Sequence, residues 1–421
     1  MTNTASSPEV RPMPWAQLLA LASATFMSVT IEMLPTGVMP MMSHDLQVSE
    51  SQIGMLMTIF AMSVVFTSTP LMYLLRHVPK RMLLVGVLST FAIGTIGSAL
   101  ASSYALLVVT RIITGVAHGV FWASVTAYVG HLVHRSQLTT AVSITSGGGG
   151  LAFVLGVPLG TALGQWLGWR TTFFVLAALC LVVAALLLRI MPARVAEPQT
   201  DTAAIEIQPA PTAIGDTERV GRGAGLPPRP KKSMRLVILV CLLCGLTITG
   251  HFTYYTYVSI QLLGPMQLPE QWLAIALFGY GVMSSIATFL TGSLFANRSS
   301  LGFRIAYLLM LAGGAIVTFS GANLWFGMLG LLCWGAAMGL MPTLLQSRLL
   351  AVAPSKHRDI ASAIYTSGFN LGISSGAYFG GLLLDEFTIS ALGPAFIIII
   401  GLAAAYSITL DTVSARRQLA Q

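Results

Sequence analysis

What most limits the possible folds of this sequence is the recurrence of apolar runs long enough to cross a bilayer. A helix needs about 20 predominantly apolar residues to span roughly 30 Å of hydrocarbon. Stretches at roughly 14–38, 51–75, 82–101, 104–130, 139–165, 170–192, 235–262, 271–296, 302–320, 324–349, 360–384 and 389–411 meet that requirement. Only 9% of the 421 residues are charged and 55% are hydrophobic, against roughly 25% charged in an ordinary soluble domain. A water-soluble fold of this length has no means of covering its surface. The expected fold class is therefore an all-α membrane protein with twelve transmembrane helices. The polar start up to Met13 runs straight into a span too long for the apolar core of a signal peptide, so the first segment is expected to be its own insertion signal.

Orientation follows from the basic residues, which collect on the cytoplasmic side of short loops. With the N-terminus inside, 20 of the 22 Lys and Arg residues fall on cytoplasmic segments, and only Arg111 and Arg170 do not. Both termini are expected inside, as an even number of crossings demands. The net charge of +8 is explained by this bias, which removes support for a nucleic-acid partner. Cys180, Cys241, Cys244 and Cys333 all lie within spans, where cysteine behaves as a small buried apolar residue. The C-x-x-C at 241–244 has no further Cys or His at metal spacing, so no disulfide, metal or cofactor is expected.

Between the sixth and seventh segments the chain turns polar and rich in proline, with Pro198, Pro209, Pro211, Pro227, Pro228 and Pro230. Such composition reads as a disordered linker. The domain plan is a cytoplasmic tail (1–13), a six-helix bundle (14–192), a cytoplasmic linker (193–234), a second six-helix bundle (235–411) and a short tail (412–421). The two sets of six repeat each other. Gly156, Gly160, Gly164 and Gly168 step four at a time through the fifth segment, as Gly368, Gly372, Gly376 and Gly380 do through the eleventh. Gly115 and Gly119 in the fourth match Gly335 and Gly339 in the tenth. A four-residue glycine step bares backbone on one helix face and lets a neighbour approach closely. Two such ladders in equivalent positions suit duplicated helices that move against each other.

Of the 14 acidic residues, only Glu32 falls inside a span away from its ends. An acid at such depth must face the protein interior or a water-filled cavity, and withdrawal from water favours the neutral carboxyl. Glu32 thus suits a proton carrier, with a permanently protonated carboxyl bonded to a neighbouring carbonyl as the alternative. Pro35 follows within one turn and frees a backbone carbonyl, which favours a local break beside the site. On the fourth segment Arg111, Gly115, His118 and Trp122 share one face. Arg111 is placed either to act on a nearby carboxylate or to snorkel to the interface, and His118 either to pack or to line a cavity. His251, Tyr254, Tyr255 and Tyr257 in the seventh segment read as a cavity wall for a sugar-like or amphipathic ligand, against an interfacial aromatic belt. Gln346 and Asn370 are further polar candidates, with interhelical bonding as their alternative.

The run Gly156-Val157-Pro158-Leu159-Gly160-Thr161 resembles the G-P-x-x-G-G type signature of proton-coupled antiporters in the major facilitator superfamily. Arg111-Ile112-Ile113-Thr114-Gly115-Val116-Ala117-His118-Gly119 resembles that superfamily's R-x-x-x-G-x-x-x-G. The wording is most similar to bacterial sugar-efflux or arabinose-efflux permeases of the drug:proton antiporter group. Glu32-Met33-Leu34-Pro35-Thr36-Gly37, His251 to Tyr257, and Phe369-Asn370-Leu371-Gly372 point the same way. The superfamily's loop signature G-x-x-x-D-R-x-G-R-R is degraded: laid on Lys80 and Arg81, it puts Met72 at the Gly position and Arg76 at the Asp position. The usual latch between halves is therefore unassigned. The resemblance implies two pseudo-symmetric bundles, a role for Arg111 in proton coupling, and a place in the bacterial inner membrane.

The expectation is a monomeric, proton-coupled antiporter that exports a sugar, sugar analogue or drug by alternating access. Its partners are protons, a small-molecule substrate and the lipid bilayer. Glu32, Arg111 and His118 are the proton-coupling candidates. Trp122, His251, Tyr254, Tyr255, Tyr257, Gln346 and Asn370 are the substrate candidates. Gly115, Gly119, Gly156, Pro158, Gly160, Gly372 and Gly376 are the conformational ones. Export of nucleosides or another metabolite, and proton-coupled import, share the fold. An enzyme would need a nucleophile–base pair or metal cluster, which the sequence does not supply, and a receptor leaves Glu32 and Arg111 unexplained.

Overall fold

The computed structural model describes residues 12–133, 137–192, 232–296 and 298–419. The N-terminal half contains α1 (Trp15–Leu46), α2 (Glu50–Leu74), α3 (Lys80–Ala99), α4 (Tyr104–Leu132), α5 (Leu138–Leu151), α6 (Val157–Leu167) and α7 (Trp169–Ile190). The C-terminal half contains α8 (Met234–Tyr255), the short α9 (Val258–Leu263), α10 (Leu273–Phe295), α11 (Ser299–Phe319), α12 (Leu324–Val352), α13 (Arg358–Phe387) and α14 (Leu392–Leu419). Among the described residues, eleven helices are long and apolar enough to cross a membrane. The twelfth expected segment is present as the 30-residue α13. It meets the length and not the apolarity, because Gly368, Gly372, Gly376, Gly380, Gly381 and Asn370 dilute it.

Three details depart from the expected segments. Pro35 and Pro40 do not break α1, which runs unbroken for 32 residues; the expected local break is corrected below. The fifth segment is one rod with a π turn at Ala152–Gly156 between α5 and α6. Pro158 lies in the first turn beyond it and has no N–H to return to the ladder. The seventh segment divides, because Tyr257 N turns to Tyr254 O (3.1 Å) and leaves the α-helical register. The linker expected at 193–234 lies outside the described residues up to 231, and α8 begins at Met234. The expected tails are likewise outside at 1–11 and 420–421.

The glycine ladders fix how the helices pair. Gly156, Gly160 and Gly164 meet Thr30, Leu34 and Val38 of α1, rung for rung. Gly372, Gly376 and Gly380 meet Ile248, Thr249 and Thr253 of α8 in the same manner. Gly115 and Gly119 seat α4 on Phe60 and Ser68 of α2, and Gly335 and Gly339 seat α12 on Tyr280 and Ser284 of α10. The halves therefore repeat the same pairings. Of the two basic residues outside the positive-inside pattern, Arg170 is taken up at a helix end: it pairs with Asp45, donates to Ala101 O (3.1 Å) and lies over the Trp169 ring. Arg111 is the other, and it is internal.

A Cβ on Gly115 would stand 2.7 Å from Phe60 O and 2.9 Å from Ser63 Cβ, whereas one on Gly147 would meet nothing within 4 Å. Gly115→Ala is expected to destabilise by about 1–3 kcal/mol through overpacking. Gly147→Ala is expected to be neutral or to stabilise by about 0.5–1 kcal/mol, as glycine removal from a helix does. Thermal unfolding of the purified variants in detergent checks the contrast.

Candidate proton and substrate site

Glu32 lies midway along α1 with 4% of its surface exposed, and its neighbours come from α4. His118 presents Nε2 to Glu32 Oε2 at 3.6 Å, while its Nδ1 shares a 2.9 Å hydrogen bond with Ser28 Oγ, one turn before Glu32. The imidazole is held edge-on by Phe60 and Phe91, with ring centroids 5.1 and 6.3 Å away, and Trp122 lies at 6.2 Å. His118 thus spans α1 and α4 with one nitrogen for each of two α1 side chains.

Arg111 is 1% exposed. A proline N–H is missing from the helix ladder, so the carbonyl four residues earlier has no intrahelical partner. For Pro35 that carbonyl belongs to Ile31, and Arg111 donates to it at 2.9 Å. This satisfies the carbonyl that Pro35 frees, and α1 continues through the site unbroken. The guanidinium lies within electrostatic reach of Glu32 and 5.5 Å from the Phe173 ring centroid. Of its nitrogens, Nε and the second terminal nitrogen are buried without a partner among the described residues. A guanidinium carries five donors, and leaving buried donors unmet is costly. The arrangement is a polar interior with donor capacity in reserve beside a carboxyl.

The C-terminal half answers with aromatic chemistry at the same depth. His251 stands seventeen residues into α8 from Met234, as Glu32 stands seventeen into α1 from Trp15. Trp334 Nε1 donates to His251 Nδ1 at 3.2 Å, which places the proton of the neutral ring on Nε2. Tyr255 stacks on His251 (centroids 4.9 Å, 20°) and Tyr254 on Trp334 (5.2 Å, 27°). Tyr280 lies 5.0 Å from Tyr255 with its hydroxyl buried and unpartnered among the described residues. Tyr257 leaves this cluster: its hydroxyl donates to Ala377 O (2.9 Å), and its ring packs against Gly54 of the other half.

Four hydrogen bonds between described residues cross between the halves. Ser51 Oγ donates to Asp385 Oδ1 at 2.6 Å, Thr58 Oγ1 donates to Ser374 O at 3.1 Å, Ser374 Oγ donates to Thr58 O at 3.4 Å, and Gln165 donates to Glu270 O. Phe153 and Val154 also close on Gly281. All of these lie from mid-depth to the end that carries the α1–α2 loop. Toward the end that carries the described termini, the same four helices expose Thr69, Ser146, Gly147, Thr288, Thr366 and Ser367. The halves meet at one end and part at the other.

A family model described as the Major Facilitator Superfamily matches residues 21–347. This chain belongs to the Major Facilitator Superfamily. It is a transporter and not an enzyme. A "Probable sugar efflux transporter" of Helicobacter pylori (strain G27) is 28% identical over 378 residues, which is 90% of each chain. One of the same name from Helicobacter acinonychis (strain Sheeba) is 27% identical over the same share. Among solved structures, a bacterial homolog of the human lysosomal transporter Spinster, inward-facing and occupied, aligns with TM-score 0.66 at 16% identity over 95% of this chain and 97% of its own. A nucleoside transporter aligns with TM-score 0.69 at 12% identity, covering 94% and 99%.

In this superfamily transporter, Glu32, Arg111, His118 and the half-buried Trp122 come together in one half. His251, Tyr254 and Tyr255 come together in the other, as a closed cluster. Asn370 spends its amide on Thr366 O of its own helix (3.0 Å), and Gln346 is exposed on α12. Ser28, Trp334, Tyr280 and Asp385 were not anticipated. Ser28 was open to detection, since it lies at i−4 from Glu32 on the same helix face; Trp334 and Tyr280 carried no local signal. The Ile31 carbonyl supplies a direct test. Arg111→Met is expected to cost about 1–3 kcal/mol with Pro35 in place. The cost should fall by about 1 kcal/mol on a Pro35→Ala background, where the residue 35 N–H takes over the carbonyl. A double-mutant cycle by thermal unfolding reads that difference.

Proposed function

We propose that this chain exports a small polar molecule, of the sugar or sugar-analogue class, in exchange for an inward proton. In this reading all twelve segments, α13 included, cross a bacterial inner membrane and both termini are cytoplasmic, consistent with the basic-residue pattern. The observation that carries it is Glu32, a single deeply buried carboxyl set 3.6 Å from His118 and beside a guanidinium with unmet donors. Such a carboxyl is served whether it holds a proton or not: when neutral its hydroxyl faces His118 Nε2 as acceptor, and when charged it lies within electrostatic reach of Arg111. The names of the Helicobacter relatives support the sugar class.

With cytoplasmic termini, the parted end faces the cytoplasm, where an exporter collects its cargo. Rocking of the two bundles across the seam where α2 meets α13 and the α5–α6 rod meets α10 would then expose the site outside. There the cargo leaves and a proton is taken up. An inward proton releases about 2.3 kcal/mol per 100 mV and about 1.36 kcal/mol per pH unit. At about 1.4 kcal/mol per decade, one proton per neutral molecule sustains a gradient of tens to hundreds of fold.

Purified protein in liposomes under an imposed proton gradient tests this with a panel of labelled sugars, sugar analogues, nucleosides and drugs. Uphill movement of a sugar is expected in wild type. Glu32→Gln should lose uphill movement while retaining substrate counterflow. Undiminished uphill transport by that variant removes Glu32 from the mechanism.

A further inference from the structure

We propose that Asp385 and Ser51 form the latch that holds the two halves shut at the α1–α2 loop end, which makes the state open at the opposite end the resting state of this transporter. The proposal rests on the alternating-access reading above and adds to it the contact that sets the balance between states.

Asp385 lies in the last turn of α13, which carries no basic residue. An acid there is opposed by the dipole of its own helix, whose C-terminal end is negative. Its favourable environment is across the gap. Ser51 is the second residue of α2, and its hydroxyl donates to Asp385 Oδ1 at 2.6 Å. That brings the carboxylate to the positive N-terminal end of α2. A hydroxyl bonded to a carboxylate at this distance is a charge-assisted hydrogen bond, roughly twice as strong as a neutral one. Ser49, the N-cap, stabilises the donor in turn: its hydroxyl lies 2.8 Å from Ser51 Oγ, and it forms a capping box with Gln52. Glu50 sets a like charge beside the contact, so the hydrogen bond and the helix end hold it rather than net attraction.

Two further features align with this pair. Below it the Tyr257 ring lies against Gly54 on α2 and Gly381 on α13, where a Cβ on either glycine would collide with it. Deeper still, Thr58 and Ser374 exchange hydroxyl-to-carbonyl bonds between the same two helices. Side chains thus join α2 to α13 at three successive depths, with Asp385 the outermost.

The opposite end is built to the contrary. The turn from α2 into α3 carries Arg76, Lys80 and Arg81, and the turn into α13 carries Lys356 and Arg358 against the single acid Asp359, so each is net basic. These are the corresponding ends of the same two helices, and both are basic, so approach there brings like charges together. One end of the α2–α13 seam has a carboxylate-to-hydroxyl bond and the other has repulsion. Asp385 is accordingly a positioning residue: it touches no cargo and acts through the equilibrium between states.

Distance measurement between spin labels tests this on full-length protein with its four native cysteines replaced by alanine. One label pair, at His44 and Ser390, spans the latched end; a second, at Leu74 and His357, spans the parted end. All four sites are exposed. Wild type is expected to show a dominant short distance at the first pair and a dominant long one at the second. Asp385→Ala and Ser51→Ala should each raise the long-to-short ratio at the first pair about tenfold, with the reverse change at the second. Because both residues lie in the terminal turns of their helices, each variant serves as the folding check of the other. If both leave the two distributions as in wild type, the latch is overturned. The distances are read without substrate or proton gradient. A failed Glu32→Gln transport test therefore leaves the latch standing, and a failed latch test leaves proton-driven export standing.

Discussion

A single hydrogen bond from Arg111 to the carbonyl of Ile31 underlies much of what the N-terminal half does. Pro35 takes an N–H out of the α1 ladder, and the vacancy falls on the residue next to Glu32. Filling it with a guanidinium settles two problems at once. The helix stays whole, and a buried cation is fixed by backbone rather than by a side chain that titrates. Glu32 is left with His118 on one side and unmet guanidinium donors on the other, the setting that the proposed proton carrier requires. Were Arg111 committed to Glu32 through both terminal nitrogens, the pair would be a static buried salt bridge, and opening it would leave a costly unpaired charge.

The halves share a scaffold and differ in chemistry. Glycine ladders press α6 onto α1 and α13 onto α8 in matching fashion, so equivalent depths face one another across the pseudo-symmetry. At that depth one half places ionisable groups and the other a sheaf of rings around Trp334. On the proposed reading, the division separates tasks that compete for the same space. Proton chemistry needs shielded polarity, while a sugar needs flat apolar faces with hydrogen-bonding edges. The ring cluster is shut in this state, with Tyr254, Tyr255 and Tyr280 all buried.

Much of this was legible in the sequence because the bilayer imposes length and composition directly. The helical spans, the basic-residue asymmetry and the paired ladders each leave a local imprint. Glu32 was legible for the same reason: an acid amid apolar residues is conspicuous. Pro35 was read correctly as freeing a carbonyl and wrongly as breaking the helix, because the partner that mends it is 80 residues away on α4. The division of the seventh segment at Tyr257 was equally hidden, since the ring there sits between glycines of two other helices that the local sequence does not mark. Likewise Trp334 carries no local signal, since its role rests on His251 as the acceptor for its N–H. Contacts between halves, Ser51 to Asp385 above all, belong to a conformation, and a sequence encodes several of these without marking which is which.

The dilution of α13 by glycine, serine and asparagine bears on how the protein is made. A segment this weakly apolar gains little by leaving the translocation machinery for lipid alone. On the twelve-span reading proposed above, its place in the bilayer comes instead from close docking on α8, a helix synthesised over a hundred residues earlier. Membrane integration of the C-terminal half is then a cooperative act, in which α8 must wait, correctly placed, for a late partner. The smooth glycine surface that seats α13 on α8 is the same surface that leaves it dependent on company during biogenesis.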